Sequence, residues 1–268
     1  MADYAVSGTI SVLLGNGDGT SQAPKSYGTT QTPKFVAIGD FNGDGKADLV
    51  VMDSPYVSVM FGNGDGTFQP PIDFKPTYEP SAIGIGDFNR DGKLDLAVGE
   101  QFAGTSQVQI YFGNGGGTFQ QGASYAVGVQ PISIAVDSLR GDGKLDLAVA
   151  CTLSAGVSVL LGNGDGTFQP SVTYPTPSNY WVAVADLNGD GKPDLAVANF
   201  DLPTSPPTTE VSVLIGNGDG TFQNAINYPS GAKILSSPSA ISTATKSPIW
   251  SSPTLSITMC SCCSIRGW

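Results

Sequence analysis

"DFNGDGKADLVVMDSPYVSVMFGNGDGTF", Asp40 to Phe68, joins an acidic, glycine-punctuated loop to two apolar runs and an Asn-Gly-Asp-Gly turn. Both punctuated motifs return along the chain. The turn appears as "LGNGDGT" at Leu14, "FGNGDGT" at Phe61, "FGNGGGT" at Phe112, "LGNGDGT" at Leu161 and "IGNGDGT" at Ile215. The loop appears as "DFNGDGKAD" at Asp40, "DFNRDGKLD" at Asp87, "SLRGDGKLD" at Ser138 and "DLNGDGKPD" at Asp186. The two motifs share one period of about 50 residues, the length of a four-stranded propeller blade.

Strands can be read within each period. "KFVAIGD" alternates and suits a first, inner strand, whereas "LVVM" and "LAVA" are apolar runs that suit burial on both faces. "VSVMFG" or "VSVLLG" makes a third strand, and Asn-Gly and Asp-Gly tolerate the positive φ of a tight hairpin. "TFQPPIDF" makes the fourth, with prolines that belong on an outer edge. The expected fold class is all-β: a β-propeller of four-stranded antiparallel blades, four complete, preceded by an N-terminal half-blade in residues 1–23. Whether the ring closes, and with how many blades, is left open, since the chain holds only four complete periods. With 35 glycines, 19 prolines and 13% charged residues, the composition suits short strands and turns.

Charge and residue usage narrow the function. Twenty-three acids against 12 bases give a net charge of -11, which repels phosphate backbones and anionic membranes and favours cations. Nucleic acid is therefore not an expected partner. No histidine occurs, so the commonest general base and transition-metal ligand is missing. Cys151 stands apart from the cluster Cys260, Cys262 and Cys263, which is no disulfide framework. The stretch "MADYAVSGTI" does not read as a secretory leader, and no run of 18 apolar residues predicts membrane insertion.

The loop motif carries the chemistry. In "DFNGDGKAD", Asp40, Asn42, Asp44 and Asp48 stand at positions 1, 3, 5 and 9, Gly45 at position 6 permits a sharp reversal, and Lys46 offers its carbonyl at position 7. Hard oxygens at this spacing suit Ca²⁺ better than Mg²⁺, which demands near-octahedral geometry. An EF-hand would need an acid at position 12, where Val51, Val98 and Val197 stand instead. Turns without an ion are the alternative, but three carboxylates on one short loop repel each other unless a cation neutralises them. The copy at Ser138–Asp146 departs from the rule. Ser138 replaces the first aspartate and Arg140 the asparagine, so this loop is expected to be empty or weak, with Arg140 as a built-in cation. It also spells Arg140-Gly141-Asp142, a tripeptide read by some adhesion receptors but here a by-product of the decayed loop. The "GNGDGT" motif is read as a turn, because Gly116 replaces its aspartate in one copy.

"VAIGDFNGDGKADLVV" followed by "VSVMFGNGDGTF" resembles the FG-GAP/VCBS repeat, the unit of integrin α-subunit propellers and of many secreted bacterial proteins. The resemblance covers nearly all of residues 1–230. It implies a propeller with Ca²⁺ in the loops between the first two strands of a blade, in an extracellular or cell-surface protein. The ligands it implies are Asp40, Asn42, Asp44, Lys46 (carbonyl) and Asp48; Asp87, Asn89, Asp91, Lys93 and Asp95; and Asp186, Asn188, Asp190, Lys192 and Asp194. About three calcium sites follow.

Residues 231–268 do not continue the repeat. The segment is rich in Ser, Thr and Pro and reads either as a disordered end or as the product of a frameshift, since a shifted reading of Ala240–Thr245 can encode Asp-Phe-Asn-Gly-Asp. The expected function is a calcium-binding, non-catalytic propeller module for adhesion or ligand display, with a protein or glycan as partner. The alternatives are the propeller of a carbohydrate-active lyase or hydrolase, in which Tyr27, Tyr125, Tyr174 and Trp181 line a sugar site, and a purely structural spacer.

Overall fold

The computed structural model describes residues 8–29, 31–102, 104–154, 156–201 and 208–230, so the segment 231–268, read above as disordered or out of frame, lies outside the described residues. The regular elements among them are 18 β-strands. Strands β1 (Thr9–Val12) and β2 (Lys25–Gly28) form a two-stranded sheet. Four four-stranded antiparallel sheets follow, each in chain order. They are β3 (Phe35–Gly39), β4 (Asp48–Met52), β5 (Val57–Met60) and β6 (Ile72–Phe74); then β7 (Glu79–Gly86), β8 (Asp95–Phe102), β9 (Thr105–Gly113) and β10 (Phe119–Ala126). The last two are β11 (Pro131–Asp137), β12 (Asp146–Cys151), β13 (Val157–Leu160) and β14 (Val172–Tyr174), and β15 (Asn179–Ala185), β16 (Asp194–Asp201), β17 (Thr208–Leu214) and β18 (Ile226–Pro229). These are the four propeller blades and the half-blade that the repeat implies, although the half-blade runs past residue 23 to Gly28.

The apolar runs become second strands, which are paired on both edges and covered on both faces. In β4 every residue is buried, and Val50 pairs with Ala37 on one side and Val59 on the other. A strand so placed has no solvent face to carry polar residues. The first strand keeps its alternation, and β3 leaves Val36 and Ile38 exposed.

The described residues fall into two compact units. The first runs to Ala126 and takes in Gly164–Thr167; the second holds Val127–Asn163 and continues from Phe168. Within the first, Val50, Val59, Ile83, Leu96 and Val98 form one core, while Ile10 of the half-blade joins Leu49, Val51 and Met60 in another. Within the second, Ala148, Val159, Val182, Leu195 and Leu214 pack together.

Hairpin tips reach backward along the chain. A Cβ on Gly66 would stand 2.5 Å from Leu14, one on Gly117 2.9 Å from Ile72 and 3.0 Å from Phe61, one on Gly166 2.4 Å from Phe112, and one on Gly220 2.7 Å from Leu161. Leu14, Phe61, Phe112 and Leu161 all open the preceding "GNGDGT" or "GNGGGT" turn, so each tip rests on the same repeat position one period earlier. Glycine there meets two demands at once, a left-handed φ of 74–85° and the lack of room for a side chain.

One sequence expectation needs correcting. "TFQPPIDF" is not a strand throughout, because β6 begins only at Ile72, after Pro70 and Pro71, and Phe68 makes an isolated bridge to Gly62. Proline offers no N–H to the ladder. In the second blade Gln121 and Gly122 replace that pair, and β10 runs from Phe119 to Ala126. The fourth blade also starts late, at Ile226, without a proline to account for it.

Candidate metal centres

Each loop between a first and second strand closes over a fully buried aspartate: Asp48, Asp95, Asp146 or Asp194. One carboxylate oxygen accepts the N–H of the second residue of the loop, from Phe41 at 2.8 Å, Phe88 at 3.0 Å, Leu139 at 2.9 Å and Leu187 at 2.9 Å. The other accepts the N–H of Gly62, Gly113, Gly162 or Gly216 at the end of the third strand, at 2.7–2.9 Å. A Cβ on any of those glycines would stand 2.0–2.1 Å from a backbone carbonyl oxygen, of Ala47, Leu94, Leu145 or Pro193. Glycine is what lets the third strand come close enough to reach the carboxylate.

Sequence reasoning assigned Asp48, Asp95 and Asp194 to the metal alone and missed this tie between loop, second strand and third strand. An ionised carboxylate oxygen that accepts one N–H keeps further lone-pair capacity, so the two roles are compatible. Burial pushes the Asp95 carboxyl up to about 6, and the nearby charges of Asp91 and Asp87 add to it. Burial raises Asp146 as well, against the opposing effects of the Gly162 N–H and Arg140.

Above these aspartates the three intact loops repeat one geometry. Asp40 accepts N–H from Gly43 at 2.8 Å and Gly45 at 2.9 Å, Asn42 accepts from Asp44 at 2.9 Å, and Asp44 accepts from Lys46 at 2.9 Å. Asp186 accepts from Gly189 at 2.7 Å and Gly191 at 2.9 Å, with Asn188 and Asp190 accepting from Asp190 and Lys192. In the second loop Asp87 accepts from Asp91 at 3.0 Å and Gly92 at 2.9 Å, Asn89 from Asp91, and Asp91 from Lys93. Arg90 takes φ 61° there, where Gly43 and Gly189 stand in the other two loops. The Lys46 N–H holds Asp44 below the usual carboxylate range, and the Gly191 N–H does the same for Asp186.

The lysine side chains leave the loops. Those of Lys46, Lys93 and Lys192 lie along Gly64, Gly115 and Gly218. Lys46 Nζ stays 3.2 Å from Asp44 and Lys93 Nζ 3.7 Å from Asp91, exposed pairs that contribute little. Among the described residues no group of three or more acids is already gathered as a metal cage. The structure therefore brings positions 1, 3 and 5 onto one turn, with position 9 buried at its base. The donor set is oxygen only, with three aspartates per loop, and that chemistry fits a hard divalent cation.

The third loop is built differently. Ser138 Oγ accepts the Gly143 N–H at 2.9 Å, in place of the aspartate at position 1. Arg140 Nη2 donates to Asp146 at 2.9 Å and to the Gly162 carbonyl, and lies 3.6 Å from Asp142. The Arg140 side chain is only 17% exposed, so the Arg-Gly-Asp tripeptide does not present its arginine to a receptor.

The "GNGDGT" motif is a turn, as read. Asn63 N–H donates to the Thr67 carbonyl at 2.9 Å and Asp65 accepts from Thr67; with Gly116 in the aspartate's place, Asn114 still donates to Thr118 at 3.0 Å. Of the aromatics considered for a sugar site, Tyr27 packs edge-on against Phe68 at 5.5 Å and Tyr174 against Phe222 at 5.3 Å. Tyr125 and Trp181 are half-buried.

Comparison with known proteins matches these repeats to recorded families. The FG-GAP-like repeat matches residues 2–51, 40–98 and 139–197, and the FG-GAP repeat matches residues 80–126. No curated protein matches the chain in sequence. Among solved structures, a lectin from Agrocybe aegerita, described for its specific recognition of non-reducing terminal N-acetylglucosamine, is 20% identical, with 82% of this chain and 76% of that one covered and a TM-score of 0.47. The Photorhabdus luminescens Tc holotoxin pore is 18% identical over 82% of this chain and 11% of its own, with a TM-score of 0.40. BBS1N, in complex with ARL6DN, is 16% identical over 71% of this chain and 52% of its own, with a TM-score of 0.47.

Proposed function

This chain belongs to the FG-GAP repeat family, and on that premise we propose that it is a calcium-binding, non-catalytic propeller module of an extracellular or cell-surface protein, serving adhesion or the display of a protein or glycan ligand. One observation carries the calcium reading. Three loops share a geometry with three aspartates each, and the loop that lacks the full set places an arginine against its remaining acids. The ligands would be Asp40, Asn42, Asp44, the Lys46 carbonyl and Asp48; Asp87, Asn89, Asp91, the Lys93 carbonyl and Asp95; and Asp186, Asn188, Asp190, the Lys192 carbonyl and Asp194. The ion would supply positive charge that cancels the carboxylate repulsion and ties each loop to its own base.

The non-catalytic reading is supported by the partners of the buried acids. Asp48, Asp95 and Asp194 are bound to backbone N–H groups, and buried Glu100 accepts the Tyr111 hydroxyl at 2.7 Å and Gln107 at 3.1 Å. Burial raises Glu100 and pushes Tyr111 up to about 12, which suits a structural pair.

Thermal unfolding in about 2 mM CaCl₂ and in excess EDTA tests the calcium reading. Extracellular modules bind calcium at about 10⁻⁴–10⁻³ M, so each site should add about 0.6–1.8 kcal/mol at that concentration. Chelation should lower the melting temperature by several degrees; an unchanged melt would overturn the reading. A glycan and protein array probed with the calcium-loaded chain tests ligand display.

A further inference from the structure

The third loop has lost its donor pattern and kept its shape. Asp146 is buried and accepts the same two backbone N–H groups as its counterparts, and Ser138 continues to cap the turn. Two of the oxygen ligands at positions 1 and 3 are altered together, to a hydroxyl and a guanidinium. The guanidinium turns inward. It meets Asp146, the carbonyl of Gly162 and, at 3.6 Å, Asp142, which are the acids of positions 9 and 5 and the end of the third strand.

Its stem is held as well. A Cβ on Gly220, in the hairpin tip of the following blade, would stand 2.9 Å from Arg140 Cγ, so that tip lies against the aliphatic part of the side chain. Arg140 Nε is buried without a hydrogen-bond partner, so the side chain is held by its Nη2 end and its stem.

We infer that Arg140 is a resident cation that takes the place of the divalent ion in the third blade, so that the chain takes up three calcium ions and closes its third loop without one. The count rests on the calcium reading of the intact loops; the position of Arg140 does not. A planar guanidinium with several donors can serve a carboxylate and a carbonyl together, and it cannot be deprotonated. The charge changes in step, because the intact first and fourth loops set three aspartates against one lysine, whereas the third sets Asp142 and Asp146 against Arg140 and Lys144. An ion entering here would have to displace the guanidinium from a buried carboxylate and find only two acids waiting.

Calorimetric titration of the full chain with CaCl₂ alone tests this. Wild type should bind three ions, Asp44→Asn two, and Asp142→Asn still three. The double variant Ser138→Asp with Arg140→Asn rebuilds the pattern and should bind four. In excess EDTA, Arg140→Gln should melt several degrees below wild type. Four ions in wild type, or the loss of one on Asp142→Asn, would overturn the inference and leave the calcium reading standing. No uptake by wild type would overturn the calcium reading and the count with it. If the double variant does not fold, the contrast between Asp44→Asn and Asp142→Asn decides, and an Arg140→Gln melt equal to wild type in EDTA refutes the resident cation.

Discussion

Replacing Asp48 by alanine should damage the first complete blade whether or not calcium is present. The carboxylate accepts N–H from Phe41 and from Gly62, each at 2.8 Å, and is fully buried. Alanine leaves both buried donors without their acceptor. Hydrogen bonds to charged groups are worth about 1.5–3 kcal/mol each, so the gross loss is about 3–6 kcal/mol. Removing a buried charge also removes its desolvation cost, which brings the expected net loss to about 3 kcal/mol. For a unit of roughly this size that corresponds to a fall of about 10 °C in melting temperature.

Asp44 provides the contrast, since it lies in the open part of the loop and accepts the Lys46 and not a buried strand N–H. Asp44→Ala should cost less than about 1 kcal/mol in EDTA and show its main effect only with calcium. Scanning calorimetry of wild type and both variants, in CaCl₂ and in EDTA, separates the two roles. If Asp48→Ala melts with wild type in EDTA, the carboxylate does not tie the strands together and the reasoning fails.

Three further outcomes follow from the same geometry. Gly62→Ala drives a Cβ to 2.1 Å from the Ala47 carbonyl and should cost about 3 kcal/mol, whereas Gly17→Ala, at φ 84° with open space around it, should cost about 1 kcal/mol; equal urea midpoints would contradict this. In EDTA, Asp95 is neutral in both states below its ordinary value of 3.8, and between there and about 6 the unfolded chain ionises first, so stability falls by up to about 3 kcal/mol as pH rises. Asp95→Asn should flatten that part of the pH profile, and an unaltered slope would refute the raised value. Arg90→Gly relieves a left-handed conformation at φ 61° and should raise the melting temperature, by about 0.5–1 kcal/mol in stability; a lower melt would show that the side chain has a use.

Strand order and the turns were legible in the sequence because the period places each motif against further copies of itself, five turns and four loops in all. The unbroken runs "LVVM" and "LAVA" marked second strands, since burial on both faces removes any alternation to misread. The fourth strand of the first blade was legible only in outline, because prolines that suit an edge also shorten it, as Pro70 and Pro71 do. The oxygen pattern of the loops was readable, but the second role of Asp48, Asp95 and Asp194 was not. Their bonds run to Gly62, Gly113 and Gly216, 14 to 22 residues away, and spacing within one loop cannot report them. One signal did exist. Asp146 persists in the copy that lost positions 1 and 3, and an acid that outlives its metal pattern has another partner.

Because each hairpin tip after the first rests on the residue that opened the previous hairpin, a repeat in this chain does not end where its own sequence ends. The second blade has all four of its strands by Ala126, yet Phe112 meets Gly166 and the Phe88 carbonyl accepts the Gly166 N–H at 2.9 Å. A fragment stopped at Ala126 would be a tile with its overlap sawn off. One carried through Thr167 would keep it, and the unit to express, swap or graft is a repeat together with the next turn.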